Sequence, residues 1–281
     1  MQRRLLHDDA KQLGIRIIAV SRPGVGASLP QCGRRLIDWP PLVRELAAAL
    51  ALPRFHLLGV SGGGPYALAA AWGLADLTEG VAVVCGAPPV AEIGSARGFN
   101  FAYRAMLGTH RHLPSVMRAM FRLLHPLTRV KPPAWLMVLL RGFLVGPDKA
   151  TLSDPAIAQM CSEGFRGAWG EYRDGVFEDA ELYTQPWGFP IEDIRVPLRV
   201  WHGTEDQNFF PSVAEYARRI PGGNLRIVEG EGHYSLPSAA RGTFSPTSSP
   251  LPAQRSRPWS EVAIPKPWNS SLASSPSLIT I

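Results

Sequence analysis

Three short stretches carry residues that do nucleophilic chemistry when they are brought together. The first is GVSGG (59–63), where Ser61 stands among glycines. A serine hydroxyl is a poor nucleophile unless a base takes its proton. Of the seven histidines, His233 in EGEGHYSLP is the best placed, on a glycine-flanked loop after the last apolar run. The base in turn needs a carboxylate that holds its tautomer and stabilises its cation. WHGTEDQNFFP (201–211) offers Glu205 and Asp206; Asp206 is favoured, with Glu205 as the alternative. The bland account of the first stretch is a glycine-rich turn with an incidental serine. The remaining histidines read as ordinary residues: His56 inside a strand, His7 near a terminus, His202 structural, and His110, His112 and His125 on surfaces or in packing.

The elements around these stretches decide whether the residues can meet. IRIIAV (15–20), RFHLLGV (54–60) and GVAVVCGA (80–87) are continuous apolar runs, the pattern of strands buried on both faces. Between them, DWPPLVRELAAALAL (38–52) and PYALAAAWGLA (65–75) have helical spacing, with Asp38 available as a cap. Alternating strands and helices imply a parallel sheet with right-handed crossovers. Ser61 thus falls between a strand and a helix, the context that gives G-x-S-x-G its meaning: a tight turn that lifts the hydroxyl above the sheet. The N–H of Gly62 then opens the next helix, where negative charge is favoured.

From about 92 to 190 the pattern changes to helical segments broken by Gly and Pro, including MRAMFRLLHPL, AWLMVLLRGFL and PAIAQMCSEGFRGAWGEYRDGVF. Strand logic resumes with VPLRVWHG (196–203), helix SVAEYARRI (212–220) and strand NLRIVEG (224–230). The expected division is a core in two parts, 1–91 and 191–237, with a helical cap (92–190) over the edge where open α/β sheets hold ligands. Residues 238–281 hold 11 serines and 7 prolines without periodicity, so they read as a disordered tail.

Composition narrows the function classes. The net charge of +6 is spread along the chain without a basic run or a binding motif, which argues against nucleic acid as a partner. Three distant cysteines, Cys32, Cys85 and Cys161, fit neither a disulfide framework nor a zinc site, so no metal is expected. The charged start, MQRRLLHDDAKQLG, lacks a signal-peptide core, and AWLMVLL is too short to span a bilayer. A cytoplasmic chain without stable membrane insertion is the expectation.

Taken in order, four segments resemble the α/β-hydrolase superfamily over roughly residues 5–237. RIIAVSRPGVGASLP (16–30) is similar to its strand and R-P-G-x-G-x-S loop, and GVSGGGPYALA to its nucleophile turn. HGTEDQNFF resembles its acid loop and GEGHYSLP its histidine loop. The resemblance implies a mostly parallel sheet flanked by helices, an acyl-serine mechanism on a small ester or related acyl substrate, and no cofactor. Serine at 61 disfavours the aspartate-nucleophile branch; esterase, lactonase, peptidase and haloperoxidase-like activities all stay open.

Two departures from the family pattern set expectations of their own. No H-G pair precedes Ser61, so the strand that normally brings a second oxyanion donor is missing, and two strand edges are left without their partner. Losing one such donor typically costs roughly 2.7–4 kcal/mol of transition-state stabilisation. After SLP the tail replaces the usual covering helix, and both ends read as those of a truncated chain or isoform. The alternative function is therefore a catalytically impaired hydrolase fold that acts by binding only. A further reading uses the recurring Arg97, Arg104, Arg111, Arg118, Arg122, Arg129, Lys131 and Arg141 of the insertion to face acidic substrates or a membrane surface, against the plainer account of solvated helix faces. Aromatic residues there (Phe99, Phe101, Tyr103, Trp135, Trp169, Trp187) suit either an apolar substrate group or core packing.

Overall fold

A computed structural model of the chain describes residues 6–7, 10–93, 98–130, 144, 146–170, 172, 174–238 and 276–281. The continuous apolar runs form parallel strands: β1 (Arg16–Ala19), β2 (Phe55–Val60), β3 (Thr78–Val84), β4 (Leu198–Gly203) and β5 (Gly223–Val228). A sixth strand, β6 (Ser277–Thr280), completes one sheet of order β1-β6-β2-β3-β4-β5, with every pair parallel. Helix α1 (Trp39–Ala49) joins β1 to β2, and α2 (Gly64–Gly73) joins β2 to β3. The alanines of α2 from Ala67 to Ala71 are completely buried; their small side chains let the helix sit close against β2 and β3. Leu57, Val81, Val83, Leu198 and Val200 meet it from the sheet to form the main core.

Between β3 and β4 lie helices α3 (Phe101–His112), α4 (Pro114–Arg129), α5 (Pro155–Trp169) and α6 (Gly175–Thr184). Asp154 caps α5 by accepting the N–H groups of Ala156 and Ile157. Asn100 caps α3 through the N–H of Tyr103. Of AWLMVLLRGFL, Leu144 alone lies among the described residues. Among those described, no helix is long and apolar enough to cross a membrane.

The end of the chain corrects two expectations. Residues 277–281 are not disordered: Ile279 is fully buried, and β6 pairs with β1 on one side and β2 on the other. The two edges expected to lack a partner are therefore paired. The physical reason is that a buried strand edge must satisfy its N–H and C=O groups, and Ser-Leu-Ile-Thr-Ile is short, apolar and β-branched enough to do so. A strand this short leaves little periodic trace at the end of a serine- and proline-rich run. Two smaller differences concern helices. Asp38 accepts the N–H of Arg35 at 2.7 Å and closes the turn before α1 instead of capping it. Residues Pro211–Arg219 form a tight 3-10 helix, not an α-helix.

Candidate active site

The nucleophile turn follows from local sterics. Ser61 sits at the end of β2 with φ of +53°, a left-handed conformation that non-glycine residues rarely adopt. Its glycines answer to close approaches on either side. A Cβ on Gly59 would lie 2.6 Å from the Gly63 carbonyl oxygen, and one on Gly63 would run into the carbonyl of Ile281, just beyond β6. The Ile281 carbonyl also accepts the N–H of Val60. The N–H of Gly62 belongs to the first turn after β2, before any intrahelical acceptor is available.

The three sequence-selected side chains come together at this edge of the sheet. Ser61 Oγ lies 2.9 Å from His233 Nε2, and His233 Nδ1 lies 2.9 Å from Asp206 Oδ2. The carboxylate can only accept, so Nδ1 carries the proton and Nε2 is left as the acceptor for the serine hydroxyl. Asp206 is buried, whereas Glu205 is exposed and takes no part in this chain of contacts. Asp206 Oδ1 accepts the N–H groups of Asn208 and Phe209, both at 2.9 Å, which fixes the carboxylate plane. Burial alone would raise its pKa, but the His233 hydrogen bond, both imidazoles and the Phe209 N–H outweigh that and hold it below the usual carboxylate range.

His202 is the second imidazole beside Asp206, at 3.4 Å. Its Nε2 donates to the Phe209 carbonyl at 2.8 Å. Burial pushes its pKa down, against the pull of Asp206 and the Phe209 bond, so it stays neutral at pH 7. Cys85, His202 and Asp206 bring potential metal-ligand atoms within 4.8 Å of one another. Asp206 is already committed to His233 and His202 to Phe209, so this trio fits the hydrogen-bonded site better than an ion. Burial also pushes the Cys85 thiol well up, which keeps it a neutral packing group.

Sequence reasoning missed a charged cluster that reaches the nucleophile turn. Asp179 of α6 is buried and accepts from Tyr66, Arg34 and Arg22, at 2.5, 3.0 and 2.9 Å. The Tyr183 hydroxyl lies 3.0 Å from the same carboxylate and 2.8 Å from the Gly62 carbonyl, so it joins α6 to the nucleophile turn. Burial first, and then the Asp179 charge, push the Tyr66 hydroxyl up, keeping it a donor. Nothing in GVFEDAELYT signals this role, because its partners lie more than a hundred residues away in sequence.

Ser61 and Gly62 open into a cleft of about 1100 Å³. Its wall is largely apolar, with Leu124, Leu127 and Val130 at the end of α4, Phe165 and Trp169 on α5, and Tyr234 beside His233. Phe99 and Tyr103 line a separate apolar cavity of about 60 Å³, Trp187 belongs to the core and Phe101 is exposed. Trp135, Arg97, Lys131 and Arg141 lie outside the described residues. Of the insertion's arginines, Arg118 pairs with Glu181 and Arg122 with Asp174, while Arg104 and Arg111 are exposed.

A parallel sheet with a strained serine between β2 and α2, facing a histidine and a buried acid, defines a hydrolase-type α/β protein. The sequence places it more closely: the model of the alpha/beta hydrolase family matches residues 2–244, and the chain belongs to that family. A search of curated proteins found none that matches the sequence. Among solved structures, the chain is similar to a bromoperoxidase from Bacillus anthracis, with 18% identity, 78% of this chain and 75% of that one covered, and a TM-score of 0.53. It is also similar to the enol-lactonase from Burkholderia xenovorans LB400 (21% identity, 79% and 74% covered, TM-score 0.52). An esterase from Exiguobacterium antarcticum matches at 17% identity, 82% and 80% coverage and a TM-score of 0.51. At these identities the likeness is one of fold.

Proposed function

We propose that this chain is a serine hydrolase that cleaves a carboxylic ester carrying an apolar group. The observation that carries the reading is the unbroken series Ser61 Oγ, His233 Nε2, His233 Nδ1, Asp206 Oδ2, with both contacts at 2.9 Å, whose serine lines a largely apolar cleft. In this mechanism Ser61 Oγ attacks the ester carbonyl as its proton passes to His233 Nε2. Asp206 steadies the resulting imidazolium, and the Gly62 N–H donates to the developing oxyanion. Collapse breaks the ester C–O bond, and the alcohol leaves with the proton held by His233. Water then attacks the acyl-serine, giving its proton to His233, and release of the acid restores the serine hydroxyl. The cleft favours an aliphatic or aromatic group on the acyl or alcohol side.

Turnover of a short-chain aryl ester tests the reading, with hydrolysis expected for the wild type and lost in Ser61→Ala. The alternative reading is a hydrolase fold that acts by binding only. A folded wild type that binds apolar esters without hydrolysing them would support that alternative.

A further inference from the structure

Asp148 is a buried carboxylate that the mechanism above does not use. It lies on the short helix Gly146–Thr151, among the segments inserted between β3 and β4, and is 6% exposed. Its Oδ2 accepts the backbone N–H of His233 at 3.0 Å. Its Oδ1 accepts those of Tyr234 at 2.8 Å and Ser235 at 2.9 Å. One side chain thus satisfies three successive N–H groups of the histidine loop. The fit is close enough that a Cβ on Gly232 would lie 2.5 Å from Asp148 Oδ1, so the glycine before the histidine leaves room for this carboxylate.

The two carboxylates around His233 do different work. Asp206 touches the imidazole and sets its tautomer. Asp148 accepts from the main chain of the loop and sets where that imidazole hangs. The loop's own ties are local: Ser235 Oγ accepts the Gly232 N–H at 2.7 Å and donates to Glu231 at 2.5 Å. Asp148 supplies a tie from 85 residues earlier in the chain. Hydrogen bonds to a carboxylate are the stronger kind, and removing their acceptor leaves three N–H groups to find other partners.

We propose that Asp148 is a positioning residue for His233, by which the inserted segments hold the general base at hydrogen-bond distance from Ser61; this rests on the serine-hydrolase reading. Near-attack geometry is sensitive enough that a displacement of about 1 Å costs on the order of 10²-fold in rate. Asp148 does not line the cleft, so its loss acts on the chemical step and not on substrate binding.

The test compares wild type with Asp148→Ala and the isosteric Asp148→Asn in the full chain. A fluorophosphonate probe counts reactive sites, and ester hydrolysis is expressed per labelled site, so that unfolded protein does not enter the rate. The expected result is a fall in kcat on the order of 10²-fold in D148A with KM nearly unchanged. A smaller fall is expected in D148N, which keeps one oxygen acceptor. An unchanged per-site kcat in both variants overturns the proposal, even if the melting temperature drops. So does failure of both variants to fold, since that makes Asp148 a structural residue. A wild type that never labels overturns instead the hydrolase reading beneath it, and the two failures are thereby distinct.

Discussion

The Ser61 turn and the His233 loop meet at one hydrogen bond, yet they are held in place by different means. The turn takes its shape from its neighbours in sequence, where β2 ends, Gly59 permits a close approach to Gly63 and α2 begins, and distant groups, the Ile281 carbonyl and the Tyr183 hydroxyl, only brace it. The loop has little regular structure of its own and is held by acids from elsewhere, Asp206 on the ring and Asp148 on the main chain. A nucleophile that must be strained is best placed by rigid elements on both sides. A base that must accept and return a proton is placed by hydrogen bonds that fix its position and its tautomer. One half of the site is therefore shaped locally and braced from a distance, and the other is held through contacts between distant segments.

The largest effect expected from breaking this arrangement is at the shared hydrogen bond. Ser61→Ala removes the nucleophile, and ester hydrolysis should fall by on the order of 10⁶-fold in kcat. Next comes the histidine side: Asp206→Asn should cost about 10⁴-fold by favouring the wrong tautomer, whereas Glu205→Gln, at an exposed site, should leave the rate unchanged. Steady-state kinetics of the two variants, side by side, separates the two acids. Equal losses would remove the distinction drawn between them.

A smaller effect, on stability, probes the support under Ser61. Ile279 is fully buried in β6, so Ile279→Ala should cost about 2–5 kcal/mol in urea unfolding. No change would mean that residues 277–281 are a dispensable tail. The mildest effect is with pH and belongs to the His233 side. Both Asp206 and His202 have pKa values lowered in the folded chain. The stability each contributes is present above its unfolded value and is lost as pH falls through its folded value. Unfolding free energy should therefore decline below about pH 6.5 for His202 and further below about pH 4 for Asp206. Denaturant curves at pH 7, 5.5, 4 and 3 check this, and stability that rises on acidification contradicts it.

The same contrast explains what could be read from the sequence. The five strands before residue 238 and the Ser61 turn are legible because periodicity and glycine spacing are local signals. Asp206 and His233 stand out as chemistry-bearing residues at strand ends, and the structure brings both to Ser61. Asp148 and Asp179 give no such signal: neither sits in a motif, and the partners of each are set by the tertiary fold. β6 is missed for a third reason. Its sequence suits a strand, but only the vacancy between β1 and β2 makes so short a segment fold as one.

The central claim is that Ser61 is an activated nucleophile, and mass spectrometry of the folded chain after reaction with a fluorophosphonate tests it most directly. The account predicts one adduct per chain, mapped to Ser61, at a rate that collapses in His233→Ala. A folded chain that stays unlabelled, or an adduct on another residue with Ser61 intact, would contradict it.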